Sequence, residues 1–124
     1  MPHKVKVISA GDFIRAQPEG KINFPEAEGL LKQIADAAGG LEDYQVMVDI
    51  RNVTSRLTPA ELFSLAQTVA QHRRSAGTRT AILCPFERFD KARFFALCAE
   101  NRGVKIHAFT DYEAAMEWLL AGEG

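Results

Sequence analysis

Residues 45–65 read QVMVDIRNVTSRLTPAELFSL: an apolar run that ends in charge, then a short polar loop, then the start of a helix. It reads as a strand, a loop and a helix in immediate succession. In an open α/β sheet that junction lies at the carboxyl end of a strand, where such folds hold ligands and partners. The preceding chain prepares it. Residues 4–9 alternate charged and apolar side chains, the period of a half-buried strand, and Ala10-Gly11-Asp12 breaks the pattern before residues 13–16 resume it. So short a connection predicts an antiparallel hairpin. Residues 17–21, with Pro18 and Gly20, read as a turn or a bulged continuation that delivers Ile22 to the first helix.

That helix opens with Asn23-Phe24-Pro25-Glu26. Asn is a strong N-cap, Pro is tolerated in the first turn, and a Glu three residues past the cap can reach back to the cap amide. Ala27, Leu30, Leu31, Ile34, Ala35 and Ala38 follow at helical spacing, and Gly39-Gly40 ends the run. Residues 46–50 form a nearly continuous apolar strand suited to a central position. Thr58-Pro59-Ala60-Glu61 then repeats the capping grammar before a stripe of Leu62, Leu65, Ala66, Val69 and Ala70, with His72-Arg73-Arg74 in the last turn and Gly77 closing.

Residues 80–84 make a second buried strand, stopped by Pro85. A third helix over residues 88–101 carries Phe89, Ala92, Phe95, Ala96 and Ala99 on one stripe, and residues 104–109 form a strand whose alternating Lys105 and His107 suit an edge. Thr110-Asp111-Tyr112-Glu113 caps a last helix that docks Ala114, Ala115, Trp118 and Leu119 on the sheet. The order is β-β-α-β-α-β-α-β-α. Connections this short imply right-handed parallel units after the opening hairpin. The expected fold is α/β, a mixed and mostly parallel sheet with an N-terminal β-hairpin and about four helices.

A chain of 124 residues with 47% hydrophobic and 25% charged residues has globular proportions, and one domain over residues 1–124 is expected. The first residues lack an apolar core of signal-peptide length, and no segment approaches the roughly 20 apolar residues of a membrane span. A soluble, cytoplasmic protein without an integral membrane segment is expected. Cys84 and Cys98 are too few and too isolated for a disulfide framework or a metal cage. The net charge of −1 gives no global attraction to nucleic acid, although residues 72–105 carry eight basic against three acidic side chains. Basic residues near helix C-termini ordinarily complement the helix dipole.

Several chemistries are absent from the sequence. Neither G-x-G-x-x-G nor G-x-x-x-x-G-K-[ST] occurs, so nucleotide binding of those kinds is excluded. His3, His72 and His107 stand far apart, without H-E-x-x-H or paired cysteines, and no metal or other cofactor is expected. A phosphoacceptor site of the receiver type needs acidic and lysine companions that Asp49 lacks. No G-x-S-x-G elbow is present, and Cys84 at a strand end has no sequence-local base to activate it.

The hairpin-first element order, the strand VMVDIRNV, the segment PFERFDKARFFALCAENRG and the ending IHAFTDYEAAMEWL together resemble the STAS superfamily over nearly the whole chain. Within it they are similar to the SpoIIAA-like branch, which also carries a Sec14-like name. The resemblance implies a non-enzymatic bacterial regulatory or binding module that acts through another protein, such as a regulatory kinase or sigma-pathway protein, at the loop before the second helix. It also implies a phosphoacceptor position. STAS antagonists carry an Asp-Ser-Ser-Gly loop after this strand, and counting from Asp49 and Val53 places Leu57 at the Asp and Thr58 at the phosphorylated Ser; Leu57, Pro59 and Ala60 depart from the motif. The capping box that recurs at three helices favours Thr58 as an N-cap over a phosphosite, and a phosphate at a helix N-terminus is compatible with that role.

Candidate partner-binding residues are therefore Asp49, Arg51, Asn52, Ser55, Arg56 and Thr58, against the alternative of a solvated loop with local hydrogen bonds. Phe86, Phe89, Phe94 and Phe95 lie within ten residues, interleaved with Arg88, Lys91 and Arg93, and at 100° per residue cannot share one face. Phe89 and Phe95 fit the core, and Phe94 the surface. The Sec14-like alternative makes the protein a carrier or sensor of a small lipid or apolar ligand, with Phe86, Phe89, Phe94 and Cys98 as the candidate lining. A homodimer is left open.

Overall fold

The structure, a computed structural model, describes residues 3–10, 13–39, 44–72 and 78–121. Strands β1 (His3–Ala10) and β2 (Phe13–Lys21) are followed by helix α1 (Phe24–Ala38), strands β3 (Gln45–Asp49) and β4 (Val53–Thr54), helix α2 (Pro59–His72) and strand β5 (Arg79–Leu83). A 3-10 turn (Phe86–Arg88) leads into helix α3 (Phe89–Glu100), strand β6 (Lys105–Phe109) and helix α4 (Tyr112–Ala121). The sheet order is β1-β2-β3-β5-β6, with β4 paired to β2. Only β1 runs antiparallel to its neighbour; the remaining pairings are parallel. The mixed, hairpin-first α/β fold read from the sequence is the one observed. Residues 11–12, Gly40 and residues 73–77, where the sequence places the hairpin turn, part of the first helix's end and Gly77, lie outside the described residues.

Strand β2 runs farther than its sequence suggests, straight through Pro18, which pairs with Val5 of β1. The reason is on its other side. Gly20 N donates to Asn52 O at 3.0 Å and Ile22 N to Thr54 O at 2.9 Å, so by the period of two the nitrogen of Pro18 also faces the β3–β4 side. A proline there has nothing to donate. The ladder between β2 and β3 stops at Ala16–Val48 and restarts at Gly20–Val53, with one extra residue on the β3–β4 side. That is a bulge, and it lifts residues 50–52 out of the sheet.

Alternation along the strands sorts the core into two faces. Ile14, Ala16 and Val46 pack under Leu30, Ile34 and Ala38 of α1. On the same face, Ile82, Cys84 and Ile106 pack under Ala66 of α2 and Ala92, Ala96 and Ala99 of α3. The opposite face of Met47, Ala81 and Leu83 is covered by Ala115 and Leu119 of α4, with Trp118 beside them. Helices α1, α2 and α3 thus share one side and α4 takes the other.

Candidate functional site

The bulge makes the site. After Asp49 the chain leaves β3, Ile50 N still donates to Leu83 O at 2.8 Å, and Val53 N turns back onto Ile50 O at 3.1 Å. Asp49 is 5% exposed and accepts from Arg51 N at 3.1 Å, Arg51 Nε at 3.0 Å and Arg51 Nη2 at 2.9 Å. Burial alone would raise its pKa, but the Arg51 side chain and backbone donors, the guanidinium charge and the Gln17 side chain together outweigh it and leave the carboxyl lower than its ordinary 3.8. Asp49 therefore holds the loop from below, while the Arg51 side chain stays 45% exposed above it. Arg88 Nη2 pins the other flank by donating to Ile50 O at 3.3 Å.

Beyond this clamp Asn52 and Arg56 are exposed and Ser55 is half-buried. Thr58 closes the loop. Its Oγ1 accepts from Glu61 N at 3.1 Å, and Glu61 Oε1 accepts from Thr58 N at 2.9 Å, so both bonds of the capping box at α2 are made. Phe86 stands 82% exposed in the turn after β5, at the same end of the sheet, and Tyr112, 37% exposed, begins α4 at that end too. The carboxyl end of the sheet thus presents a fixed loop flanked by cations and two exposed aromatics.

Behind the loop, between the sheet and α1, α2 and α3, lies a cavity of about 200 Å³. Its walls are mainly aliphatic, among them Leu30, Ile34, Val46, Val48, Leu65 and Ile82. Sealed and empty, such a space would cost on the order of 5 kcal/mol at about 24 cal/mol per Å³, which approaches the net stability of a small domain. The exposed Lys91 in its wall marks where it reaches the surface. Ser55 and Leu57 of the loop also line it, so one loop serves both the outer face and the inner wall.

Helix α3 meets the cavity through Ala92 and Phe95, with Arg88 and Lys91 at its start. Phe86, Phe89, Phe94 and Cys98 are not among the lining residues. Phe94 is 41% exposed, while Phe89, Phe95 and Cys98 pack against the core beneath α2 and α3. The sequence reading singled out neither Thr78 nor Lys91 as ligand residues. Thr78 escaped because nothing but its neighbours' positions distinguishes a buried threonine.

Cys84 is 1% exposed, with its thiol 3.5 Å from Phe109 O, and burial pushes its pKa up against a smaller opposing pull from Arg88. That is the setting of an inert thiol. Among the described residues no three of His, Cys, Asp and Glu gather as metal ligands, and no helix is long and apolar enough to cross a membrane.

The element order and the sheet, with three helices on one face and the fourth on the other, make a SpoIIAA-like fold. An anti-sigma factor antagonist from Mycobacterium paratuberculosis superposes with a TM-score of 0.65 at 11% identity, over 95% of this chain and 94% of that one. An uncharacterized protein with a SpoIIAA-like fold from Shewanella loihica superposes with a TM-score of 0.59 at 14% identity, over the same shares. By sequence, no family model and no curated protein matches the chain. The resemblance read from the sequence holds at the level of the fold.

Proposed function

We propose that this chain is a non-enzymatic regulatory module that binds another protein through the carboxyl end of its sheet, at the loop of residues 50–58 and the aromatic beside it. The observation that carries the reading is Phe86, 82% exposed next to a loop held by Asp49 and Arg88. A large apolar side chain projecting from a rigid support is the usual form of an interface anchor. Arg51, Asn52 and Arg56 are exposed on the loop at the same end of the sheet, and their two positive charges favour a partner with acidic groups beside an apolar pocket. An anti-sigma factor antagonist shares the fold, which favours a kinase or another sigma-pathway protein as that partner. Thr58 is the modification point of this reading, since a phosphate there would sit on the first turn of α2.

Affinity capture from cells with the wild-type chain, a Phe86→Ala/Arg56→Ala variant and a Thr58→Glu variant tests it. Capture should be lost with the double variant and altered by Thr58→Glu. Recovery of the same partners by all three, with folding intact, would refute the loop as the docking face.

A second reading has its own support in the cavity: the protein carries or senses a small apolar ligand. Because Ser55 and Leu57 belong to both loop and wall, a ligand inside would be felt at the outer face. Native mass spectrometry of protein purified from cells would reveal such a ligand as added mass, and consistently ligand-free protein would speak against it.

A further inference from the structure

The wall of the cavity is not apolar throughout: Tyr44, Ser55 and Thr80 also line it, and further polar groups stand at its opposite ends. At one end Thr78, 4% exposed, immediately precedes β5, and its Oγ1 has no hydrogen-bond partner among the described residues. A hydroxyl buried without a partner is destabilising and is normally satisfied by something else in the space it faces. At the other end Arg88 and Lys91 line the wall past the end of β5. Arg88 spends one donor on Ile50 O, and among the described residues neither cation has a carboxylate at ion-pair distance. Two cations without a counter-ion at the mouth of an aliphatic cavity favour an anionic head.

The separation of the ends sets the length of the occupant. From Thr78 to Leu83 the strand climbs about 16 Å at about 3.3 Å per residue. After allowance for the reach of the side chains at each end, an extended chain of about ten carbons spans the gap, since a backbone residue of three bonds covers about 3.3–3.6 Å. The volume of about 200 Å³ is compatible with such a chain, as an apolar cavity of roughly 150 Å³ already admits benzene.

We infer that this cavity binds a medium-chain aliphatic carboxylate bearing a second oxygen near its far end, with the carboxylate at Arg88 and Lys91 and the far oxygen at the Thr78 hydroxyl. The inference rests on the carrier reading and gives it a ligand class. The chain lies along Val46, Val48 and Ile82 of the sheet, beneath Leu30, Leu65 and Phe95 of the helices. The head emerges beside Ser55 and Leu57, so occupancy is reported to the loop.

The test is titration of the full chain with decanoate, 10-hydroxydecanoate and decan-1-ol, each kept below its aggregation concentration, followed by calorimetry and by the methyl resonances of Leu65 and Ile82. The hydroxy acid should bind about fivefold tighter than decanoate, the equivalent of one satisfied buried hydroxyl. Thr78→Val, which keeps shape and removes the hydroxyl, should erase that preference while decanoate still binds. Lys91→Met should weaken both carboxylates about threefold and leave decan-1-ol unchanged. If decan-1-ol binds as well as the acids, or the acids bind equally, the ligand class is wrong while the carrier reading survives. If none of the three moves the cavity methyls of a protein shown to be ligand-free, both fail.

Discussion

Arg51 reaches back two residues to grip Asp49 with both ends of its guanidinium fork, Nε at 3.0 Å from Oδ1 and Nη2 at 2.9 Å from Oδ2, while its own backbone N–H donates to the same Oδ1. In a straight strand the backbone N–H two residues on would point sideways into the ladder, perpendicular to the Asp49 side chain and out of its reach. The bulge opposite Pro18 brings them together. A buried carboxylate, a missing proline donor and an exposed loop are therefore one local structure.

Replacing the carboxylate tests that clamp. Because folding holds the Asp49 pKa below its ordinary 3.8, the ionised form stabilises the protein above that value, and the contribution is lost as pH falls through the lowered native value. Asp49→Asn is expected to cost about 1–2 kcal/mol at pH 7, at the modest end for a charged hydrogen bond because Arg51 is half exposed. The gap between wild type and variant should shrink as pH drops below about 3.8. Denaturant melts at pH 7, 4 and 3 measure it, and a gap independent of pH would contradict the account.

At Thr58 the hydroxyl caps α2, so Thr58→Ala should lower stability by about 1 kcal/mol, while Thr58→Ser should restore most of it. For a domain of this size that corresponds to roughly 3–5 °C in Tm. Calorimetry decides the matter, and a Ser variant as unstable as the Ala variant would deny the cap. A loss of partner binding in Thr58→Ser, with stability kept, would instead assign the methyl a role at the interface.

How far these features can be read from sequence depends on whether the information is local. The boxes Asn23 to Glu26 and Thr58 to Glu61 form as the spacing predicts. At the last helix the same spacing pointed to Thr110, but Asp111 is the cap, accepting from Ala114 N at 2.9 Å, because adjacent Thr and Asp are both good caps and only one can precede the first helical residue. The helical period placed Phe89 and Phe95 inward and Phe94 outward, as found. Pro18 misled because its tolerance within a strand depends on what faces its nitrogen, a neighbour thirty residues away in sequence. The cavity was illegible for the same reason. Period tells which residues of α1, α2 and α3 point at the sheet, not whether the surfaces they form close against one another.

The two cysteines should differ sharply in reactivity. Cys84 is buried with its thiol pKa raised, whereas Cys98 is only half-buried on α3. Under native conditions an alkylating reagent should label Cys98 first and reach Cys84 only as the protein opens, since the thiolate is the reacting species. Peptide mass spectrometry of a time course follows both. Equal rates at the two sites would revive Cys84 as a candidate nucleophile.

The turn from α3 into β6 depends on Gly103, whose φ is +88°, and a Cβ placed there would meet nothing within 4 Å. Any cost of substitution is thus a backbone cost, free of clashes. Its N–H donates to Glu100 O at 2.9 Å, and the following Val104 N reaches Ala99 O at 3.2 Å, so the positive φ lets the chain satisfy the last carbonyls of α3 and then enter β6 at once. Gly103→Ala is expected to destabilise by about 1 kcal/mol, the usual penalty for a side chain in the left-handed region, and Gly103→Asn by less, since Asn tolerates that region better. Chemical denaturation of the two variants measures the order. An Ala variant as stable as the wild type would mean that the turn relaxes to negative φ, and the entry into β6 would then have to shift with it.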